Sequence, residues 1–144
     1  MTDSEINFYS ENIDFELAQP ELFTQWLQFA IKEEGKSLFS LSFVFCSDDY
    51  LHELNVQYLQ HDTLTDVITF PYSTDPIEGD IYISIDRVNE NAQQFNAQFI
   101  DELSRIMIHG TLHLIGYGDK TSEEKEKMTK MENKYLSLLQ LESN

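Results

Sequence analysis

The segment 101–119, DELSRIMIHGTLHLIGYGD, constrains the fold more than any other part of this chain. At helical spacing Leu103, Ile106 and Met107, then Leu112 and Leu114, ask to be buried, so this helix belongs at the centre of the molecule. Yet His109 and His113 stand four residues apart, which places both imidazoles on one face. A central helix with that face can close most of its circumference but must leave one edge open. Gly116 then permits the backbone to leave the helix, and Gly118 permits a second sharp turn. A chain reversing there can return Asp119 to the open side of the pair.

Two histidines so spaced are often merely an exposed pair, or a packed pair with satisfied nitrogens. The full HxxxHxxGxxD spacing, with glycines at its breaks and apolar flanks, favours a metal instead. His109, His113 and Asp119 would supply three protein ligands and leave a fourth position for water, as in a catalytic rather than a structural zinc site. His109 and His113 would then be catalytic through the metal. His52, on a helix, and His61, in a loop, read as ordinary histidines. The residue after the first histidine is Gly110. HExxH peptidases carry a general-base glutamate there, so this site looks built to hydrolyse something other than a peptide.

Around this helix the chain predicts an α+β fold, a small mixed sheet of about four strands with about five helices, and the metal site at the end of a central helix. INFYS (6–10) is a first strand. Pro20 opens a helix whose stripe is Leu22, Phe23, Trp26, Leu27, Ala30 and Ile31, ending at Gly35. SLSFVFC (40–46) is a buried strand, and Ser47 caps a helix with Leu51, Leu54 and Tyr58 inward. TDVITFPY (65–72) is a third strand whose pairing Pro71 should end, and STDPIEG a turn-rich loop. DIYISID (80–86) is a half-buried neighbour in the same sheet. From Arg87 to Leu114 the pattern is helical, with a break near Asn96. Thr121 and Glu124 form a capping-box pair opening a last helix with the stripe Met128, Met131, Tyr135 and Leu138.

With 144 residues and 41% hydrophobic residues, 1–144 reads as a single domain. No apolar run approaches the roughly 20 residues of a membrane helix, and the acidic N-terminus lacks the pattern of a secretion signal. A cytoplasmic protein is expected. The one cysteine, Cys46, lies in an apolar run and reads as a small buried hydrophobe. A net charge of −17 argues against nonspecific coating of nucleic acid. Six of the nine Lys and Arg nevertheless lie between Arg105 and Lys134, and residues 1–31 have none.

HGTLHLIGY closely resembles the HGxLHLxGYDH signature of the YbeY family, bacterial metal-dependent endoribonucleases of rRNA maturation and ribosome quality control. LNVQYLQHDTLTDVITFPY (54–72) is similar to that family's LNxxYRxxDxxTDVLSFP segment, GDIYISIDRV (79–88) to its GDIxIS segment, and DELSRIMIHG (101–110) to the run before its first metal histidine. The resemblance implies one zinc ion, with another divalent metal as the alternative. It also implies cleavage of single-stranded RNA near the 3′ end of small-subunit rRNA, in contact with the ribosome. A monomer is expected.

The family's first two metal ligands fall on His109 and His113, and its third histidine on Asp119. A carboxylate is an acceptable zinc donor, but its charge makes the metal a weaker Lewis acid. The arginine that usually follows the tyrosine of LNxxYR is Leu59 here, so a phosphate-facing cation must come from elsewhere. Lys120 and Arg105 are candidates, although helical spacing also lets Arg105 pair with Asp101 or Glu102. Thr65 reads as a turn-holding residue, and Asp66 either as the same or as a group orienting a metal histidine. Two other readings stand beside the endoribonuclease: a metallopeptidase-like hydrolase, and a noncatalytic metal-binding protein of the ribosome.

Overall fold

The computed structural model describes residues 5–59 and 65–139. Its elements run β1 (Glu5–Glu11), α1 (Pro20–Glu33), β2 (Leu38–Cys46), α2 (Asp48–Leu59), β3 (Val67–Thr74), β4 (Ile77–Ser84), α3 (Ile85–Gln94), α4 (Phe99–Ile115) and α5 (Ser122–Leu136). The strands form one mixed sheet in the order β1-β2-β4-β3. β1, β2 and β4 are parallel, and β3 joins β4 antiparallel at the edge. This is the α+β arrangement that the alternation of strand and helix patterns predicts.

The two faces of the sheet follow the period-2 alternation of its strands. On one face Leu41, Phe43, Phe45, Ile81 and Ile83 join the main core with Phe23, Leu27 and Ile31 of α1 and Leu103, Met107 and Leu114 of α4. On the other, Cys46 and Ile68 meet Leu51 of α2 in a smaller cluster. The Cys46 thiol is thus a buried hydrophobe, and burial first, then nearby Asp86 and Asp48, pushes its pKa up to about 12.

Several local expectations hold for identifiable reasons. Ser47 accepts a hydrogen bond from the Tyr50 amide at 3.2 Å and so caps α2. Thr121 and Glu124 form the reciprocal capping box that opens α5. The long helical pattern breaks where Asn96 takes a left-handed conformation, φ 55°, separating α3 from α4.

Other expectations are corrected. Pro71 does not end β3, which continues to Thr74. β3 lies at the edge of the sheet and shifts register between Pro71 and Ser73, the two circumstances in which a strand tolerates a residue without an N–H. The loop at STDPIEG therefore shrinks to a tight turn at Asp75-Pro76, and β4 begins at Ile77. β4 also stops sooner than expected: the Ser84 hydroxyl accepts from the Arg87 amide and starts α3 at Ile85. Tyr58 and Leu138, expected inward, are exposed; Asn55 and Glu132 are buried instead.

α4 sits unusually close to the sheet. A Cβ on Gly110 would stand 2.9 Å from the Ile81 side chain, and one on Gly79 would meet the Phe70 carbonyl at 2.9 Å and Leu114 at 3.0 Å. At Gly79 the obstruction includes backbone, which cannot rotate away. Gly79→Ala is therefore expected to cost about 1–3 kcal/mol of stability, read as a lowered urea midpoint with an unchanged slope.

Candidate metal centre

The seating of α4 on β4 decides where its histidines point. Gly110 faces Ile81, so His109 and His113 lie off to the side, where the start of β3 and the end of α2 leave a cleft of about 530 Å³. Asn55, Leu59, Thr65, Asp66 and Thr69 line it together with His109, His113 and Asp119. Gly116, at φ 129°, ends α4 in a conformation that L side chains rarely adopt. Its amide, like that of Tyr117, bonds back to the Leu112 carbonyl. This turn at Gly116 returns Asp119 over the histidine pair, whereas Gly118 does not take a positive φ.

The three side chains meet closely. The His109 and His113 Nε2 atoms are 3.0 Å apart, and Asp119 Oδ2 lies 3.2 Å from His113 Nε2 and 3.4 Å from His109 Nε2. Each imidazole is held by its other nitrogen. His109 Nδ1 faces Glu132 Oε2 at 2.6 Å, and His113 Nδ1 faces the Tyr117 carbonyl at 2.9 Å. Both partners are acceptors, so both Nδ1 atoms carry the hydrogen and both Nε2 lone pairs point at each other. Two lone pairs at that distance require a proton or a cation between them.

The donor set fits a cation. Ligands held about 2.0–2.1 Å from a tetrahedral zinc stand roughly 3.4 Å from one another, near all three separations found here. A carboxylate or carbonyl on the distal nitrogen of a metal-binding histidine is also the usual supporting arrangement. The cleft is moreover negative: Asp66 and Asp119 line it, Glu132 stands behind, and among the described residues no Lys or Arg does. Burial lowers the His109 pKa, but the bond to Glu132 and the charges of Glu132, Asp119 and Asp66 outweigh it and raise the value overall. The same carboxylates would attract a divalent ion.

The model matching residues 5–140 is that of endoribonuclease YbeY. The chain belongs to the YbeY family. It is 49% identical over 138 residues to endoribonuclease YbeY of Amoebophilus asiaticus, covering 94% of each chain. With that of Christiangramia forsetii it shares 46% over 143 residues, covering 99% of each. Its fold matches the solution structure of TM1509 from Thermotoga maritima at TM-score 0.67 and 31% identity, over 94% of this chain and 89% of that one. Membership in this family makes the chain a hydrolytic nuclease. No helix among the described residues is long and apolar enough to cross a membrane.

The remaining candidates sort by geometry. Arg105 pairs with neither Asp101 nor Glu102; it reaches across to α5, bonding Glu132 at 2.8 Å and Asn133 at 2.8 Å. It is thereby committed to holding Glu132 rather than free for a phosphate. Lys120 is exposed and lies outside the cleft lining, and Leu59 occupies the wall where the family's arginine would stand. Thr65 bonds the Val67 carbonyl, as a turn-holding residue should. Asp66 lines the cleft but takes its hydrogen bond from Asn91, 3.4 Å away, and contacts neither histidine that way. His52 does not line the cleft, and His61 lies outside the described residues.

Glu132 is the residue at this cluster that the sequence does not reveal. It is 6% exposed and accepts from both His109 and Arg105, and those two bonds and charges hold its carboxyl below the ordinary range against the effect of burial. In sequence it looks like one more acid on a charged helix. The only available signal was its position in register with Met128 and Tyr135, on the inner face. Glu132→Ala is expected to destabilise the protein by about 1–3 kcal/mol, because it strands a half-buried imidazole N–H and part of a guanidinium. Glu132→Gln, whose amide oxygen still accepts, should recover part of that loss in the same urea titration.

Proposed function

We propose that this chain is a zinc-dependent endoribonuclease, a cytoplasmic monomer that cuts single-stranded RNA at the 3′ end of small-subunit rRNA and serves ribosome quality control. His109, His113 and Asp119 hold the single metal ion, and the two histidines act in catalysis through it. The observation that carries this reading is the set of three donors 3.0 to 3.4 Å apart, backed by Glu132 and the Tyr117 carbonyl, in a family of endoribonucleases.

The residues have separable duties. Glu132 and the Tyr117 carbonyl keep both Nδ1 hydrogens in place, so that both Nε2 lone pairs remain available as donors. Asp119 contributes a charged oxygen where the family resemblance places a third histidine. When bound, zinc supplies Lewis-acid polarisation of a phosphoryl oxygen and lowers the pKa of water. Charge gives the ion a further duty here. A phosphodiester approaching Asp66 and Asp119 alone is repelled, and two positive charges at the cluster roughly cancel these two negative ones. In cleavage, a water or the neighbouring ribose 2′-hydroxyl would give up its proton and bond to phosphorus while the P–O bond to the departing ribose oxygen breaks and that oxygen takes up a proton.

Gly110 speaks against a peptidase on packing grounds as well as chemical ones. Its Cβ direction leads into Ile81, so a glutamate there would collide with the sheet rather than face the cleft.

Metal-reconstituted protein should cut single-stranded RNA and leave casein intact, with chelation abolishing cleavage. His113→Ala should lose the activity by at least about 100-fold, as expected when a first metal ligand is removed. RNA cleavage that survives this change would trace to a contaminating nuclease and defeat the reading. Elemental analysis should find one zinc per chain in the wild type. Asp119→His should retain it, and Asp119→Ala should bind it more weakly.

A further inference from the structure

The sheet has two free edges, β1 and β3, and they are built differently. β3 carries Pro71 and a register shift between Pro71 and Ser73, two devices that discourage a strand from recruiting another. β1 has neither. It pairs with β2 in unbroken register from Glu5 to Glu11, and among the described residues no backbone hydrogen bond from another element reaches its outer side. Alternate N–H and C=O groups along its seven residues are therefore open to a further strand.

The side chains beside this edge differ between the two faces of the sheet. Ile6 and Phe8 pack toward the core face, where a groove of about 630 Å³ runs between β1 and α1. Phe15, Leu17 and Phe45 extend its apolar lining, while the exposed Glu16 and Glu21 bring negative charge to it. By the period-2 alternation Glu5, Tyr9 and Glu11 belong to the opposite face, and all three are exposed. Among the described residues none of these four acids forms an ion pair. Residues 1–31 contain no Lys or Arg, and Lys32 lies one turn of α1 beyond Gln28, the last residue of that helix to line the groove.

We propose that the free edge of β1 takes up, as a fifth strand, an extended segment of a partner protein in which apolar residues alternate with lysine or arginine. Main-chain bonds to β1 supply affinity, and the alternation supplies specificity. The apolar set enters the groove beside α1, and the basic set lies over Glu5 and Glu11. A second copy of this chain fits poorly, because antiparallel pairing about Phe8 sets Glu5 opposite Glu11 at both ends of the ladder. A nucleic-acid strand would meet carboxylates alone. The metal cleft lies beside β3, at the other edge of the sheet, so this inference does not rest on the reading of that centre.

The test titrates the full chain with a fluorescein-labelled peptide of about nine residues that alternates valine and lysine, followed by anisotropy at about 0.15 M salt. A companion peptide N-methylated along its backbone keeps every side chain but cannot donate to the ladder. The unmethylated peptide is expected to bind at least about tenfold more tightly than its companion. Its binding should also slow hydrogen exchange at alternate amides of β1. The E5K/E11K variant should bind the lysine peptide at least about tenfold more weakly, and should prefer a peptide that alternates valine and glutamate. The first two measurements use the unaltered chain, so they stand whether or not the variant folds. Equal binding of the two lysine peptides with β1 exchange unchanged would reduce the attraction to bulk charge and overturn the proposal, as would no binding. A variant that binds the lysine peptide like the wild type would overturn the basic half of the pattern. Self-association that protects the same β1 amides without peptide would give the edge to a second copy and overturn the proposal as well.

Discussion

The contact on which the rest of the structure depends is the seating of α4 on β4. Two glycines make it possible, one on each element. Gly110 lets the helix settle against Ile81, and Gly79 lets the strand accept Leu114 beside the Phe70 carbonyl. With both Cβ atoms absent, the helix has one close-packed rotational setting, since each residue of displacement turns it by about 100°. That setting buries Leu103, Met107 and Leu112 completely. It also turns His109 and His113 toward the cleft beside β3. The glycine that removes a peptidase's base is, in packing terms, the residue that aims the site.

A second layer of restraint acts on the histidine rings themselves. α5 lies across α4 and supplies Glu132, while the chain reversal at Gly116 supplies the Tyr117 carbonyl. The turn is itself anchored: the Tyr117 hydroxyl donates to Glu34 at 2.6 Å, and the Tyr135 hydroxyl donates to the other oxygen of the same carboxylate. Glu34 lies just past the end of α1, so α1, α4 and α5 are all tied at the level of the site. Such a tie limits the rotamers of both imidazoles before any ion arrives, which is the preorganisation a metal centre needs. It also explains why so acidic a cleft is tolerated. Arg105 offsets Glu132 from behind, and the carboxylates that face the opening favour a divalent cation.

Much of this was legible in the linear chain wherever the controlling interaction is local. The capping box at Thr121 and Glu124 spans three residues, the break at Asn96 is set by one left-handed residue, and the Asp119 reversal follows from Gly116 three residues before it. Misreadings arose where a residue's fate depends on a partner far along the chain. Pro71 looked like the end of a strand, because the sequence does not say that β3 is an edge. Arg105 looked like a partner for Asp101 or Glu102, neighbours on its own helix, but α5 brings a carboxylate in better register 27 residues later. Glu132 was overlooked for the same reason.

The sequence by itself determined the α+β class, the helix that carries the two histidines, and the reversal at Gly116 that brings Asp119 beside them, because periodicity, capping and turn chemistry act over a few residues. Only the tertiary structure decided which way that helix faces, which groups hold the imidazole hydrogens, and which carboxylate pairs with Arg105. Those outcomes depend on packing between elements distant in the chain. A carboxylate such as Glu132 becomes a histidine's partner only when two helices lie close enough to exclude water between them.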